Sequence, residues 1–201
     1  MNDASSRSKR QLTRQDILPF AEYAAIRRDQ RCRITEIKRH RRAEVGPFAT
    51  FYFENYETMW HQVQEMLHIE KGGDAQIDDE LAAYNPLIPD GAELVATVMF
   101  EIDDPIRRAS VLARLGKIED HVFIDVAGER IRGEADPTRE NTSPEGKASS
   151  VQFLRFPFTD DHIARFKTSG AQVIAGFDHP IYRHMAVLAE PVRAALAEDL
   201  D

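Results

Sequence analysis

The stretch richest in chemical groups is "NYETMWHQVQEMLHIEKGG", residues 55–73, where His61 precedes Glu65 by four positions and His68 follows it by three. Side chains at i, i+3 and i+4 leave one face of a helix. Glu-x-x-His on such a face is half of the ligand set of a carboxylate-bridged di-iron centre. The full centre needs a second Glu-x-x-His and two more glutamates on facing helices, and the chain has one such motif. Tyr56, Met59, Trp60, Val63 and Leu67 form the apolar stripe of the same helix, with His61, Glu65 and His68 opposite it. The expectation is therefore no metal and no cofactor. The three polar residues should form a face turned to solvent or to another subunit.

A second group is the basic run "RRDQRCRITEIKRHRR", residues 27–42. As a helix it puts Arg27, Arg31, Lys38 and Arg42 on one face, a stripe suited to phosphates or to an acidic protein surface. Nucleic acid is the weaker expectation, because no aromatic residues interleave the charges and the whole chain is acidic. Cys32 lies inside the run, but the chain has no other cysteine to resolve it, so thiol redox catalysis is not expected. In "FDHPIYRH", residues 177–184, Asp178, His179, Tyr182 and His184 gather at a turn. They are read first as turn residues bonding the local backbone, and second as an acid–base cluster. No phosphate-binding glycine loop, zinc-protease helix, Cys-x-x-Cys pair or nucleophile elbow occurs.

These residues must be positioned by a chain whose pattern changes character midway. Pro19 opens a long helix expected over 19–43, ended by Gly46-Pro47. "PFATFYFE" is a buried strand. Asn55 caps the helix of the Glu-x-x-His motif, which Gly72-Gly73 stop. A third helix runs to the residue before Pro86. From residue 92 the period is two. The segments then read β-α-β-β twice, with hairpins around Ala127-Gly128 and His179-Pro180, and a last short helix follows. The expected fold is α+β: amino-terminal helices and a short strand, then one antiparallel sheet made of two β-α-β-β units with helices on one face. Residues 1–15 are expected to be a disordered tail, and 16–201 a single domain with a helical part, 16–90, and a sheet part, 91–201.

Composition fits a soluble chain of one domain, with 42% hydrophobic and 30% charged residues in 201. No apolar run approaches the roughly 18 residues of a membrane span, and the polar, basic amino terminus does not read as a signal peptide. With a single cysteine the reading is cytoplasmic. Charge is divided unevenly: residues 1–42 carry +7 and the remainder −15. Such a split suits an interaction arm, or two parts that attract each other.

Taken in order, "IKRHRRAEVGPFATFYFEN", "QVQEML", "AAYNPLIP", "SSVQFLRFPF" and "DHPIYRH" resemble a bacterial family of about 200 residues classed as a domain of unknown function. The resemblance covers roughly residues 15–200. It implies a genomic setting beside a rubrerythrin-like protein and an iron–sulfur oxidoreductase of the heterodisulfide-reductase type, hence those two as partners. Positions 61 and 68 are not characteristically histidine in that pattern. The polar residues within its motifs, Glu54, Asn55, Gln62, Glu65, Gln152, Arg155, His179 and Tyr182, are the ligand-site candidates it implies. The expected function is that of a non-catalytic accessory protein docking to redox partners through the basic helix, alone or as a homodimer. The alternative is a small-ligand-binding protein or enzyme with a site from Glu54, Glu65, Arg155 and His179.

Overall fold

Helix and strand boundaries fall where the sequence changes period or offers a cap. The computed structural model describes residues 10–201. Its elements are α1 (Phe20–Arg39), β1 (Arg42–Val45), β2 (Ala49–Phe53), α2 (Tyr56–Glu70), α3 (Asp74–Tyr84), β3 (Glu93–Phe100), α4 (Pro105–Leu112), β4 (Val122–Val126) and β5 (Glu129–Arg132). There follow β6 (Glu134–Ala135), β7 (Val151–Pro157), α5 (Asp160–Lys167), β8 (Val173–His179), β9 (Tyr182–Val187) and α6 (Glu190–Ala197). Of the expected disordered tail, 1–15, residues 1–9 lie outside the described residues. Residues 10–15 correct the expectation. The Asn85 amide accepts the Leu12 N–H at 2.8 Å and donates to the Leu12 carbonyl at 3.0 Å, and the Leu12 side chain is buried.

Local chemistry accounts for the helix ends. Asn55 accepts the Thr58 N–H at 3.0 Å while the Thr58 hydroxyl accepts the Asn55 N–H at 2.9 Å, a reciprocal cap that fixes the start of α2. At its other end Lys71 takes the left-handed conformation, φ 58°, and Gly72-Gly73 carry the chain away. Asp104 and Thr159 cap α4 and α5 through the amides of Arg107 and His162.

α1 stops at Arg39, short of the expected 43, and Arg42 begins strand β1, antiparallel to β2. Arg42 therefore does not share a helix face with Arg27, Arg31 and Lys38. "RAEV" alternates polar and apolar residues, with Val45 buried and Ala43 partly buried, but over only four residues at the end of a basic helical run, so its strand character comes from pairing with the aromatic β2. Gly46, φ 72°, makes the turn between them, and a β-carbon there would come within 2.5 Å of the His184 ring.

The molecule is α+β, but the single expected sheet is two. One has the order β1-β2-β3-β7-β6 and the other β5-β4-β8-β9, with all pairings antiparallel. The repeated units appear in the expected order, β3-α4-β4-β5 and β7-α5-β8-β9. Each unit places its first strand in one sheet and its hairpin in the other. β3 pairs with β7 and β4 with β8, so the two units meet across an approximate two-fold axis in both sheets. Period-two patterning gives the buried face of a strand, not its sheet, and this is why the split was not foreseen.

Between the sheets lies one apolar cluster containing Phe51, Leu94, Val98, Phe156, Ile124 and Phe177. The Phe51 and Phe177 rings, from opposite sheets, are 5.4 Å apart. Each such ring contributes about 1.5–3 kcal/mol by burial. α5 and α6 send Ile163, Phe166, Val192 and Leu196 into the same cluster. On the outer face of the five-stranded sheet, Val95 and Phe153 pack against Met59, Val63 and Leu81 of α2 and α3. α1 then lies on α2. Among the described residues no helix is long and apolar enough to cross a membrane.

Candidate functional site

The Glu-x-x-His face of α2 is covered by α1. Near the start of α1, Arg27 donates from Nε and Nη2 to the two carboxylate oxygens of Glu65, each at 2.8 Å, and the Tyr23 hydroxyl donates to Oε1 at 2.7 Å. The same hydroxyl lies 3.3 Å from His61 Nδ1. His68 stacks on Phe20, centroids 4.8 Å apart, and meets the edge of Tyr23. Further along, Arg33 donates to Glu57 at 2.7 Å. The pairings of Arg27 with Glu65 and Arg33 with Glu57 show that the helices run antiparallel. The polar face expected to meet solvent or another subunit is thus an internal helix–helix contact.

Its electrostatics follow from these bonds. The Arg27 guanidinium, with help from the Tyr23 hydroxyl, holds the Glu65 carboxyl down at about 2 against the burial that would raise it. Burial pushes His61 below the ordinary imidazole range; Glu65 opposes this and Lys38, Arg31 and Arg27 add to it. Tyr23 is pushed up, first by burial and then by its bond to Glu65. With both Glu65 oxygens engaged by a guanidinium, a cation at this face would have to displace Arg27. Among the described residues no group of three or more His, Cys, Asp or Glu side chains is arranged to hold a metal ion.

The other sequence candidates are distributed. Glu54 is buried beneath α2, accepting from Thr97 at 2.8 Å and Thr58 at 2.6 Å, and Asn55 is the α2 cap. Gln62 reaches Tyr84 of α3 at 3.4 Å. Gln152 is fully buried and donates to the carbonyls of Asn141 and Ser149 at 3.0 and 3.1 Å, anchoring the loop before β7. Arg155 is paired with Glu93 through Nε at 2.8 Å. It shares the cross-strand row of Val95 with Glu54, whose N–H bonds the Val95 carbonyl. His179 belongs to the other sheet, edge-on to His121 with centroids 5.1 Å apart. Tyr182 donates to the Val45 carbonyl at 2.7 Å and accepts the N–H groups of Phe48 and Ala49 at 3.1 Å each. It fastens β9 to the β1–β2 turn. Glu54, Glu65, Arg155 and His179 thus each bond different neighbours on different elements, and the structure does not bring the four together.

Two clusters went unforeseen. Arg41, 4% exposed, donates to the carbonyls of Phe53 and Glu54 at 3.0 Å each and pairs with buried Asp199. Asp178 binds Arg132 at 2.8 Å and His121 at 3.0 Å, and its carboxyl is held at about 2, chiefly by Arg132. Their partners lie far apart in sequence, and no local spacing announces them.

Of the basic stripe, Arg27 is engaged by Glu65. Arg28 and Arg31 are exposed, with no ion pair among the described residues. Lys38 is half-buried. A broad concavity of about 870 Å³ runs along this side of α1, lined by Arg27, Arg28, Arg31, Cys32, Thr35 and Glu36 among others.

The architecture defines the class: an α+β chain with two antiparallel sheets and a helical layer on the outer face of one. It belongs to the family described as "Protein of unknown function (DUF3501)", whose model matches residues 11–200, in keeping with the resemblance to a family of unknown function. A crystal structure at 1.90 Å of a novel protein of unknown function from Burkholderia pseudomallei K96243 is similar over 95% of this chain and 100% of that one. The two share 40% sequence identity, with a TM-score of 0.88. No curated protein matches the chain.

Proposed function

We propose that this is a non-catalytic accessory protein that docks through the exposed side of α1 onto an acidic surface of a redox partner. The observation that supports it is the way α1 is held. A helix of twenty residues buries only Tyr23 and Ile34, whereas helices in proteins usually depend on burying a full apolar face. α1 is fastened instead by Arg27–Glu65 and Arg33–Glu57, and it leaves Arg28 and Arg31 exposed. Within an acidic chain, two arginines with no ion pair among the described residues suit a partner's carboxylates. The redox identity of that partner rests on the resemblance, which implies a rubrerythrin-like protein or an iron–sulfur oxidoreductase. A second copy of the chain offers the same acidic chemistry.

Co-elution of the purified chain with each of these partners in size exclusion, at low and high salt, tests the reading. Association is expected at low salt, weakening as the Debye length shortens, and absent in an Arg28→Glu, Arg31→Glu double variant that melts like the wild type. Retardation of generic RNA or DNA by wild type and not by the variant would replace the acidic protein with nucleic acid.

A further inference from the structure

The two sheets end in four edge strands, β1, β6, β5 and β9, and three of them carry the features that deter pairing with another chain. β6 has two residues. β5 is the short, charged Glu-Arg-Ile-Arg. β1 has four residues, with Arg42 and Glu44 exposed. β9 differs. It pairs with β8 in continuous register from Tyr182 to Val187, with no bulge, proline or lysine, and its Met185 and Val187 are 52% and 60% exposed. The Leu188 N–H bonds the Val173 carbonyl at 2.8 Å, and this bond sets the phase of the ladder. Hydrogen-bonded and non-hydrogen-bonded positions alternate along an antiparallel pair. Tyr182, His184 and Ala186 therefore direct their backbone groups at β8, while the N–H and C=O of Arg183, Met185 and Val187 point away from it. Beyond them the sheet has no further strand, and no loop among the described residues bonds these groups.

We infer that the β9 edge pairs, antiparallel, with the β9 edge of a second copy of this chain, about a two-fold axis at Met185. Met185 then lies opposite its own copy and Arg183 opposite Val187, so every outward N–H and C=O of the three residues gains a partner. The two four-stranded sheets become one continuous sheet. Self-complementarity favours a copy over a foreign strand: this register sets no like charges opposite each other and joins the exposed methionines at its centre. The neighbouring edge of the other sheet agrees. β1 lies on the same side of the molecule, where the Tyr182 hydroxyl donates to the Val45 carbonyl at 2.7 Å and a β-carbon at Gly46 would meet the His184 ring. An axis that joins β9 to its copy brings β1 towards its copy as well. Arg42 and Glu44, exposed and without an ion pair among the described residues, are charges that repel most foreign strands but match their own antiparallel copy, arginine to glutamate. The contact uses none of the residues of α1.

Sedimentation equilibrium of the full chain from micromolar to millimolar concentration tests this, with a disulfide to read the register. Wild type should approach twice the 22.9 kDa of one chain. Met185→Pro removes an N–H that β8 does not use and sets a ring into the contact, so it should melt like wild type and stay monomeric. Should that variant fail to fold, Met185→Lys sets two ammonium groups opposite each other and should weaken dimerisation about fivefold or more at low salt. In a Cys32→Ser background, Met185→Cys should cross-link to its copy under mild oxidation. A hydrogen-bonded pair holds its Cα atoms about 5.5 Å apart, inside the disulfide range of about 4.4–6.8 Å. Arg183→Cys, which faces Val187 and not its own copy, should not cross-link. A chain that stays monomeric at millimolar concentration would overturn the proposal, whether the edge is left to water or taken by another protein's strand. So would a dimer that survives the substitutions at Met185, or one that cross-links through position 183 as readily as through 185.

Discussion

Glu65 is a carboxylate between a guanidinium and a phenol, not a ligand waiting for an ion. The spacing that suggested a metal half-site also suits its observed use: Tyr23 and Arg27 stand four apart on α1, as His61 and Glu65 do on α2. Reading only one helix, the sequence could offer the motif but not its partner. Because the Glu65 carboxyl lies at about 2 instead of the ordinary 4.5, its contribution to stability is whole above about 4.5 and is lost as pH falls towards 2. Trp60 is the single tryptophan. It donates to the Asp16 carbonyl at 2.7 Å and lies edge-on to Tyr23, so its fluorescence reports on this contact. Acid titration should change Trp60 emission across that window, and Glu65→Gln should remove the step. An identical step in the variant would assign it elsewhere. Arg41→Ala, which strands buried Asp199, should cost about 3–5 kcal/mol in chemical denaturation. A loss under about 1 kcal/mol would show that the pair is not held as described.

At the scale of elements, most of the secondary structure was legible because it is written locally. The Asn55 cap, the proline at the start of α4, the glycines after α2 and the alternation in β3, β7 and β8 all stand in the sequence. What was not legible depends on neighbours far along the chain. β1 is a strand because β2 and its turn accept it, and β3 and β4 belong to different sheets because of what packs on them. Tyr182 shows the same limit: its motif suggested chemistry, whereas its hydroxyl joins one sheet's edge to the other's turn. Tyr182→Phe would leave the Val45 carbonyl and two amides without that partner, and a loss of about 1–3 kcal/mol is expected. A neutral substitution, measured by denaturant unfolding, would mean that the sheets do not depend on this fastening.

For the whole molecule, the division of charge seen in the sequence has a structural form. Residues 20–39 of the basic segment become α1, laid on α2 by ion pairs and largely exposed, while the acidic remainder builds most of the two sheets and the other helices. The docking proposal needs α1 to be the surface a partner covers. Hydrogen exchange of the chain alone and with each proposed partner, an iron–sulfur oxidoreductase or a rubrerythrin-like protein, tests that claim most directly. A helix held by two buried side chains and two ion pairs should open at low free energy when alone. On binding, protection should rise across residues 24–39, with the four-stranded sheet unchanged. Protection gained on that sheet while α1 exchanges as before would contradict the account.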